Sequence, residues 1–406
     1  MRKTLLASTC LATIIAMPAY AETSITTATT TPVSTSTVKS GAADDIKIGS
    51  AGSIKPTSGT AVTIDSNNKV TNDGTIQITN SDGARGIFAN AGVTGTITNS
   101  ATGKIIIDES YTPTDIDNDG DLDGPFAVGS NRVGIATGGA FTGNIVNSGE
   151  VTVEGNDSAG IRLGGPLTGN FTTAGKVSVI GDRALGVGLQ DVTGNVRLAG
   201  TITAQGVDAV AARLSGNING ALVVQGTLTA TGYRYTTAPS DPSKLDADDL
   251  LIGGPALSIE GDVSGGIVLA VPPKDTNAAD KDEDKDGIDD DKEGSAVVRS
   301  FGSAPAMRIG SADRDIAIGA VAGTGTGFGL IIDGSVQGNG LYAGKDATAI
   351  QLGGMEHNVT IAGGVAKNVA MVEFITLGFD GDVLVPEEAQ TVGALGAALQ
   401  KTKEKR

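Results

Sequence analysis

The chain has 406 residues, of which 60 are glycine, none is tryptophan and only 3% are aromatic. This composition disfavours a helical bundle, because each glycine inside a helix costs about 1 kcal/mol relative to alanine. It also excludes collagen, because the 13 prolines are too few and no Gly-X-Y period is present. The formal charge of −17 disfavours nucleic acid and anionic lipid as partners and favours calcium or cationic polymers.

The first 21 residues have the pattern of a secretory signal peptide. Residues 1–3 are Met-Arg-Lys, a mostly apolar stretch runs from Leu5 to Met17, and residues 19–21 read Ala-Tyr-Ala, as at a cleavage site. The apolar stretch is shorter than the roughly 20 residues that a membrane-spanning helix needs, and no later segment is long enough. We therefore expect removal of residues 1–21, export through the Sec route, and a mature chain without cysteine or a transmembrane segment.

Residues 22–55 are a Ser/Thr-rich lead-in that we expect to be poorly ordered. From residue 56 to residue 365 a self-similar pattern follows, with short alternating strands and turns at Gly, Asn and Asp. One apolar position recurs along this pattern, mostly at steps of 20 to 26 residues. Its occupants are Ile87, Ile135, Ile161, Val187, Ala212, Leu257, Met307, Leu330 and Ile350.

Three longer steps along this ladder match insertions near residues 108–126, 233–250 and 272–296. A repeat of this length with no helical stretch predicts an all-β fold, a parallel β-helix or β-solenoid with acidic loop insertions. An antiparallel β-sandwich or barrel is the alternative, but it does not require the same residue type at one phase of every repeat. The first two insertions leave the ladder at the same phase, so we expect them to project from the same corner.

The repeats resemble the β-helical passenger regions of bacterial autotransporters and related surface adhesins. The resemblance covers residues 60 to 365 and rests on TGTITNS from Thr94, TGNIVNSG from Thr142 and TGNVRLAG from Thr193. It implies a right-handed β-helix and display at or beyond the outer membrane. An autotransporter ends in a translocator barrel, which requires many amphipathic strands of about ten residues with aromatic girdles, and we do not expect one here because the sequence supplies no such strands. The repeat pattern itself fades beyond Gly364. We expect residues 366–406 to be a C-terminal cap or a shortened end, with a periplasmic location if no translocator exists.

The third insertion has the ligand spacing of a calcium loop. Acidic residues occupy positions 1, 3, 5, 9 and 12 counted from Asp282, and Gly287 stands at position 6. The spacing resembles EF-hand loops and, more closely, the aspartate-rich repeats of thrombospondin type 3 and dockerin modules. The ligands it predicts are Asp282, Asp284, Asp286, the Ile288 carbonyl, Asp290 and Glu293.

The first insertion repeats part of this spacing and predicts a weaker calcium site. Its candidate ligands are Asp115, Asp117, Asp119 and Asp123, whereas position 12 is Phe126, which cannot bind a metal ion. In both insertions the simpler interpretation is a solvated acidic loop without metal.

Catalytic motifs are scarce. The only histidine, His357, lies at a repeat turn, and the only cysteine, Cys10, lies in the leader. We therefore expect an exported, non-enzymatic β-helix scaffold or adhesin with calcium-stabilised loops, whose ligand is a glycan or a host or neighbouring-cell surface. The alternative is a polysaccharide-degrading lyase or hydrolase of the same fold, which requires clustered Asp, Glu, Arg or Lys along one strand ladder in a groove.

Overall fold

The computed structural model describes residues 22–237, 241–274, 276–283, 289–323, 325, 327–341, 347–367 and 383–384. Over these residues the chain is all-β, with two single turns of 3₁₀ helix, Pro242–Lys244 and Asp290–Lys292, and no α-helix. The predicted signal peptide lies outside the described residues, as does most of the segment 366–406.

The chain winds into coils, and successive coils pair in parallel along three faces, which makes the fold a parallel β-solenoid. Face 1 contains β1 (Thr23–Ile25), β4 (Ile46–Ile48), β7 (Val70–Asn72), β10 (Ile97–Asn99), β14 (Ile145–Asn147), β18 (Phe171–Thr173), the first halves of β21 (Val196–Gln205) and β23 (Leu222–Thr231), β25 (Ile267–Leu269), β29 (Leu330–Ile332) and β33 (Val365–Lys367). Face 2 contains β2 (Ala28–Thr29), β5 (Ser53–Ile54), β8 (Thr75–Thr79), β11 (Lys104–Asp108), β15 (Glu150–Glu154), β19 (Lys176–Ile180), the second halves of β21 and β23, β26 (Val297–Phe301) and β30 (Ser335–Gly338).

Face 3 is a separate sheet of ten strands. It contains β3 (Val33–Ser34), β6 (Thr60–Ile64), β9 (Arg85–Ala89), β12 (Val133–Thr137), β16 (Ala159–Leu163), β20 (Leu185–Leu189), β22 (Val210–Leu214), β24 (Leu257–Ile259), β27 (Met307–Ile309) and β31 (Ile350–Leu352). Short strands also pair at the corner that follows face 3, namely β13 (Phe141–Thr142), β17 (Leu167–Thr168), β28 (Ile316–Ile318), β32 (Val359–Ile361) and β34 (Val383–Leu384).

The predicted apolar ladder is confirmed along face 3 with one exception. Ile161, Val187 and Ala212 are in register in successive coils, and the same ladder runs on to Met307 and Ile350. All of these side chains are fully buried, because alternate residues of each strand point into the core.

Leu330 is the exception, and its assignment to this ladder was wrong. It lies in β29 on face 1, in register with Ile267 and Val365. The true step therefore runs from Met307 directly to Ile350. The sequence suggested two shorter steps, through Leu330, because the Leu-Ile-Ile strand is apolar and follows a turn, as the strands of face 3 do.

The expectation of a poorly ordered lead-in over residues 22–55 was also wrong. This segment forms β1 to β5 and so supplies the first complete coil and the start of the second. Ile25, Val33 and Val38 pack against the end of the core, and the Thr23 hydroxyl donates to the Asp44 carboxylate at 2.8 Å. A low-complexity Ser/Thr segment is ordered here because threonine suits exposed strand positions while a few apolar residues point inward.

The core is a narrow column of isoleucine, valine, leucine and alanine. Two features of the coil corners keep its cross-section constant. At one corner Gly155, Gly181 and Gly206 stack with φ near +150°, and a Cβ on Gly181 or Gly206 would lie 2.1 Å from the carbonyl oxygen of the glycine in the coil before. At the end of face 1 the buried side chains of Asn72, Asn99 and Asn147 donate to one another in series and end on Thr173.

Three insertions interrupt the coils of the solenoid. The first insertion, residues 109–132, and the second insertion, residues 232–256, both leave at the end of face 2 and return at face 3. The third insertion, residues 270–296, leaves from the other corner, between faces 1 and 2. The prediction that the first two share a corner is confirmed.

Candidate metal centre and cavity where two insertions meet

The first and second insertions start from equivalent positions four coils apart. Asp108 ends β11 and Thr231 ends β23, and Glu154, Ile180 and Gln205 occupy the same position in the three coils between them. With strands about 4.8 Å apart, the two starting points are about 19 Å apart. The two insertions extend toward each other across this distance and make direct contact. We call the joined pair, residues 109–132 and 232–256, the arch.

Arg234 of the second insertion makes most of the contacts that join the arch. Its guanidinium donates to the carbonyl oxygens of Leu122, Gly124 and Pro125 at 3.2, 2.9 and 2.8 Å. It also lies 4.5 Å from the centre of the Phe126 ring, an attractive cation–π geometry. Nearby, the Lys244 ammonium donates to the Asp119 carbonyl oxygen. Four carbonyls of the first insertion are thus bound by two cations of the second.

Carboxylates of both insertions converge beside these contacts. One group consists of Asp115, Asp117 and Asp123, and the other consists of Asp123, Asp246 and Asp248. Within each group the carboxylate oxygens lie within 4.8 Å of one another. Oxygens on opposite sides of a calcium ion are about 4.6–5.2 Å apart, because each Ca–O bond is about 2.3–2.6 Å long. The spacing therefore suits a hard divalent cation, and Asp123 belongs to both groups.

The chain folds into this arrangement through turns in which aspartate side chains accept backbone hydrogen bonds. The amide of Asp119 donates to Asp117, the amide of Gly120 donates to Asp115 at 3.2 Å, and Gly120 has a φ of +109° that favours glycine. The amide of Ile116 donates to Asp123, which pulls the end of the loop back onto its beginning.

Burial, followed by mutual repulsion, raises the pKa of Asp117 and of the neighbouring Asp121, and burial also raises that of Asp248. Burial, followed by the charges of Asp249 and Asp119, raises the pKa of Asp121 to about 6. Burial, followed by the hydrogen bond and charge of Asp246, raises the pKa of Asp248 to about 7. The same hydrogen bond lowers the pKa of Asp246. The site is therefore rich in negative charge and short of positive charge.

Three of the four candidate ligands in the first insertion are brought together, and one is not. Asp115, Asp117 and Asp123 form the first group, whereas the carboxylate of Asp119 accepts the amide of Asp121 instead. Asp246 and Asp248 were missed because they belong to another insertion. Their alternating acidic spacing was visible in the sequence, and the structure places them next to Asp123.

The candidate ligands of the third insertion are only partly described. Asp284, Asp286 and Ile288 lie outside the described residues. Glu293, predicted to be the last ligand, is held against the solenoid body, where its Oε1 accepts hydrogen bonds from Gln225 at 2.8 Å and Arg197 at 3.3 Å. Asp290 begins a 3₁₀ turn, and its carboxylate accepts the Glu283 amide. Asp282 is half-buried, and its amide donates to Asp280.

A buried ion pair fixes the root of the first insertion. Arg132 and Glu109 contact each other at 2.7 Å, and the side chain of each is only 3% exposed. Both Glu109 oxygens also accept backbone amides, from Val128 and Gly129 at 2.8 Å. Glu109 and Glu154 are thus clustered carboxylates near one ladder, as the enzyme alternative requires. Glu109, however, is fully engaged by protein donors.

A cavity of about 280 Å³ lies beneath the arch. Its floor is formed by Glu154, Ile180 and Gln205, and its walls come from both insertions. Tyr111 and Tyr235 line this cavity, whereas Tyr233 is fully buried.

Comparison with protein-family models, curated proteins and solved structures finds no match for this chain. The described residues include no helix of the length and apolar character needed to span a bilayer. The arch and the surfaces around it are therefore the features from which we infer a function.

Proposed function

We propose that this chain is an exported, non-enzymatic β-helix scaffold or adhesin-like passenger of the bacterial surface, in which calcium holds two insertions together as an arch. The observation that supports this proposal most is the convergence on Asp123 of carboxylates from both insertions. A long, rigid solenoid with one elaborated corner suits presentation of a binding surface at a distance from the cell.

Charge supports a cation in the arch. Asp115, Asp117, Asp246 and Asp248 lie close to Asp123, and Arg234 forms an ion pair with Asp248 at 3.2 Å. Calcium prefers six to eight oxygen ligands, and carboxylates from two loops supply them without a rigid prior geometry. Because extracellular calcium reaches millimolar concentration, even a modest affinity suffices outside the cell.

Calcium-dependent stability of the mature chain tests this proposal. A ligand that binds only the folded state stabilises it by about 2.7 kcal/mol at a hundred times its Kd. We expect calcium to raise the midpoint of thermal unfolding and a chelator to reverse the rise. Asp123→Asn should abolish the response. Asp313→Asn removes an exposed carboxylate in the turn after β27 and should leave the response intact. No response to calcium, or equal loss in both variants, contradicts the proposal.

Export is tested separately. We expect protein from the native host to begin at Glu22 and to be found outside the cytoplasm, because residues 1–21 have the pattern of a cleaved leader. Mass spectrometry of the isolated protein reads this directly. An intact Met1 on a cytoplasmic species contradicts it.

A further inference from the structure

The cavity beneath the arch is a feature that metal binding does not explain. Its floor consists of the three residues that stack at one position in successive coils, Glu154, Ile180 and Gln205. Tyr111 comes from the first insertion and Tyr235 from the second, so neither wall exists without its insertion. Tyr235 is 38% exposed, so the rim is open to solvent. With about 280 Å³, the cavity is just below the range of typical small-ligand sites, roughly 300–1,000 Å³.

Two of the three charged groups around the cavity, Glu109 and Arg234, already have several protein partners. Glu109 is bound by Arg132 and by two backbone amides. Arg234 donates to three carbonyl oxygens and to Asp248 and stacks on Phe126. A small ion would have to break these contacts in order to bind to either group.

Other polar atoms that line the cavity remain available to a ligand. Within the described residues, the hydroxyls of Tyr111 and Tyr235 make no hydrogen bond. The side-chain nitrogen of Gln205 donates to the carbonyl oxygens of Tyr233 and Arg234, whereas its Oε1 makes no hydrogen bond to the described residues. Glu154 uses only Oε2, which accepts the amide of Glu109 at 3.2 Å. The cavity thus combines aromatic rings with phenol hydroxyls, which donate and accept, and with the amide oxygen of Gln205 and a carboxylate oxygen of Glu154, which accept.

We infer that the arch cavity binds a neutral saccharide of one or two pyranose rings. The C–H faces of a pyranose pack on aromatic rings, and its hydroxyls both donate to and accept from side chains such as Tyr235, Gln205 and Glu154. The inference rests on the arch proposed above, because each insertion forms one wall. It assigns the ligand of the scaffold to a defined site.

Saturation-transfer difference NMR on the calcium-loaded mature chain tests the inference. The neutral probes are cellobiose, maltose, lactose and diacetylchitobiose, and the charged probes are digalacturonate and spermidine. We expect at least one neutral disaccharide to give a signal and to bind in a calorimetric titration. Tyr235→Ala should weaken that binding by at least about tenfold. Tyr235→Phe keeps the ring and should lose less. Phe88→Ala, which removes an aromatic ring on face 3, should change nothing.

The inference is overturned if no neutral probe gives a signal at millimolar concentration, if a charged probe binds better, or if Phe88→Ala weakens binding as much as Tyr235→Ala. The calcium response of thermal unfolding is measured on the same samples. An intact response without sugar binding overturns the cavity inference alone, whereas loss of the calcium response overturns the arch proposal.

Discussion

At the scale of single residues, the buried asparagines carry a consequence for stability. Asn99 accepts from Asn72 and donates to Asn147, each at 2.8 Å, and all three side chains are fully buried. Removing the middle amide leaves a donor of Asn72 and an acceptor of Asn147 without that partner. Each such buried group costs about 1–3 kcal/mol.

We predict that Asn99→Ala lowers the free energy of unfolding by about 3 kcal/mol or more. Asn219→Ala is the matched control, because Asn219 is exposed, and its effect should stay within about 0.5 kcal/mol. Denaturant unfolding followed by circular dichroism measures both. A loss of less than about 1 kcal/mol in Asn99→Ala would mean that water replaces the amide ladder.

The raised pKa values in the arch predict how its stability and its calcium affinity change with pH. The folded state holds protons on Asp121 up to about pH 6 and on Asp248 up to about pH 7, whereas in the unfolded chain these carboxyls lose them near 3.8. Without calcium, stability therefore falls as the pH rises from about 4 to about 7. Calcium competes with the same protons, so its affinity should rise over that window.

Calorimetric titration of calcium at about pH 5 and about pH 8 checks this prediction. The groups that face Asp248 are Asp123, Asp246 and Arg234. An affinity that does not change with pH would mean that the calcium ligands are other carboxylates.

At the scale of elements, the first insertion depends on its buried root. Glu109 begins it and Arg132 ends it, and their contact closes the insertion where it joins the solenoid. Breaking a buried ion pair by removing one charge leaves the other without compensation, at about 3–5 kcal/mol. The pair of Asp157 and Arg183 has comparable geometry but lies on the surface, with side chains 44% and 56% exposed.

We predict that Glu109→Gln destabilises the chain by about 3 kcal/mol or more, while Asp157→Asn costs less than about 1 kcal/mol. Urea unfolding curves of the two variants and of the parent chain make the comparison. Equal effects would indicate that water reaches Arg132 and solvates it.

The contacts between the two insertions explain how much of the site could be predicted from the sequence. The common corner of the first two insertions follows from the phase at which Asp108 and Thr231 leave the repeat. The meeting of their tips does not follow, because it depends on Arg234 finding the carbonyls of residues 122, 124 and 125, more than a hundred residues away. Local spacing therefore predicted Asp115, Asp117 and Asp123 but not Asp246 and Asp248.

At the scale of the whole molecule, the repeat predicts the solenoid because each coil must match its neighbours. Glycines such as Gly181 recur because a Cβ would strike the coil before, and an asparagine recurs at the position of Asn72, Asn99 and Asn147 because the buried amides bind one another. The prediction failed for Leu330 and for residues 22–55. A three-residue apolar strand looks alike on any face, and threonine-rich strands have little contrast with loops.

The central claim is that a cation joins two insertions of one solenoid. A crystal structure of the mature chain grown with calcium, with the anomalous signal recorded, tests it most directly. We predict an ion bound by Asp123, with carboxylates of the first insertion and of the second insertion at about 2.4 Å from the bound calcium. An arch without an anomalous peak, or an ion held by the first insertion alone, would contradict the account.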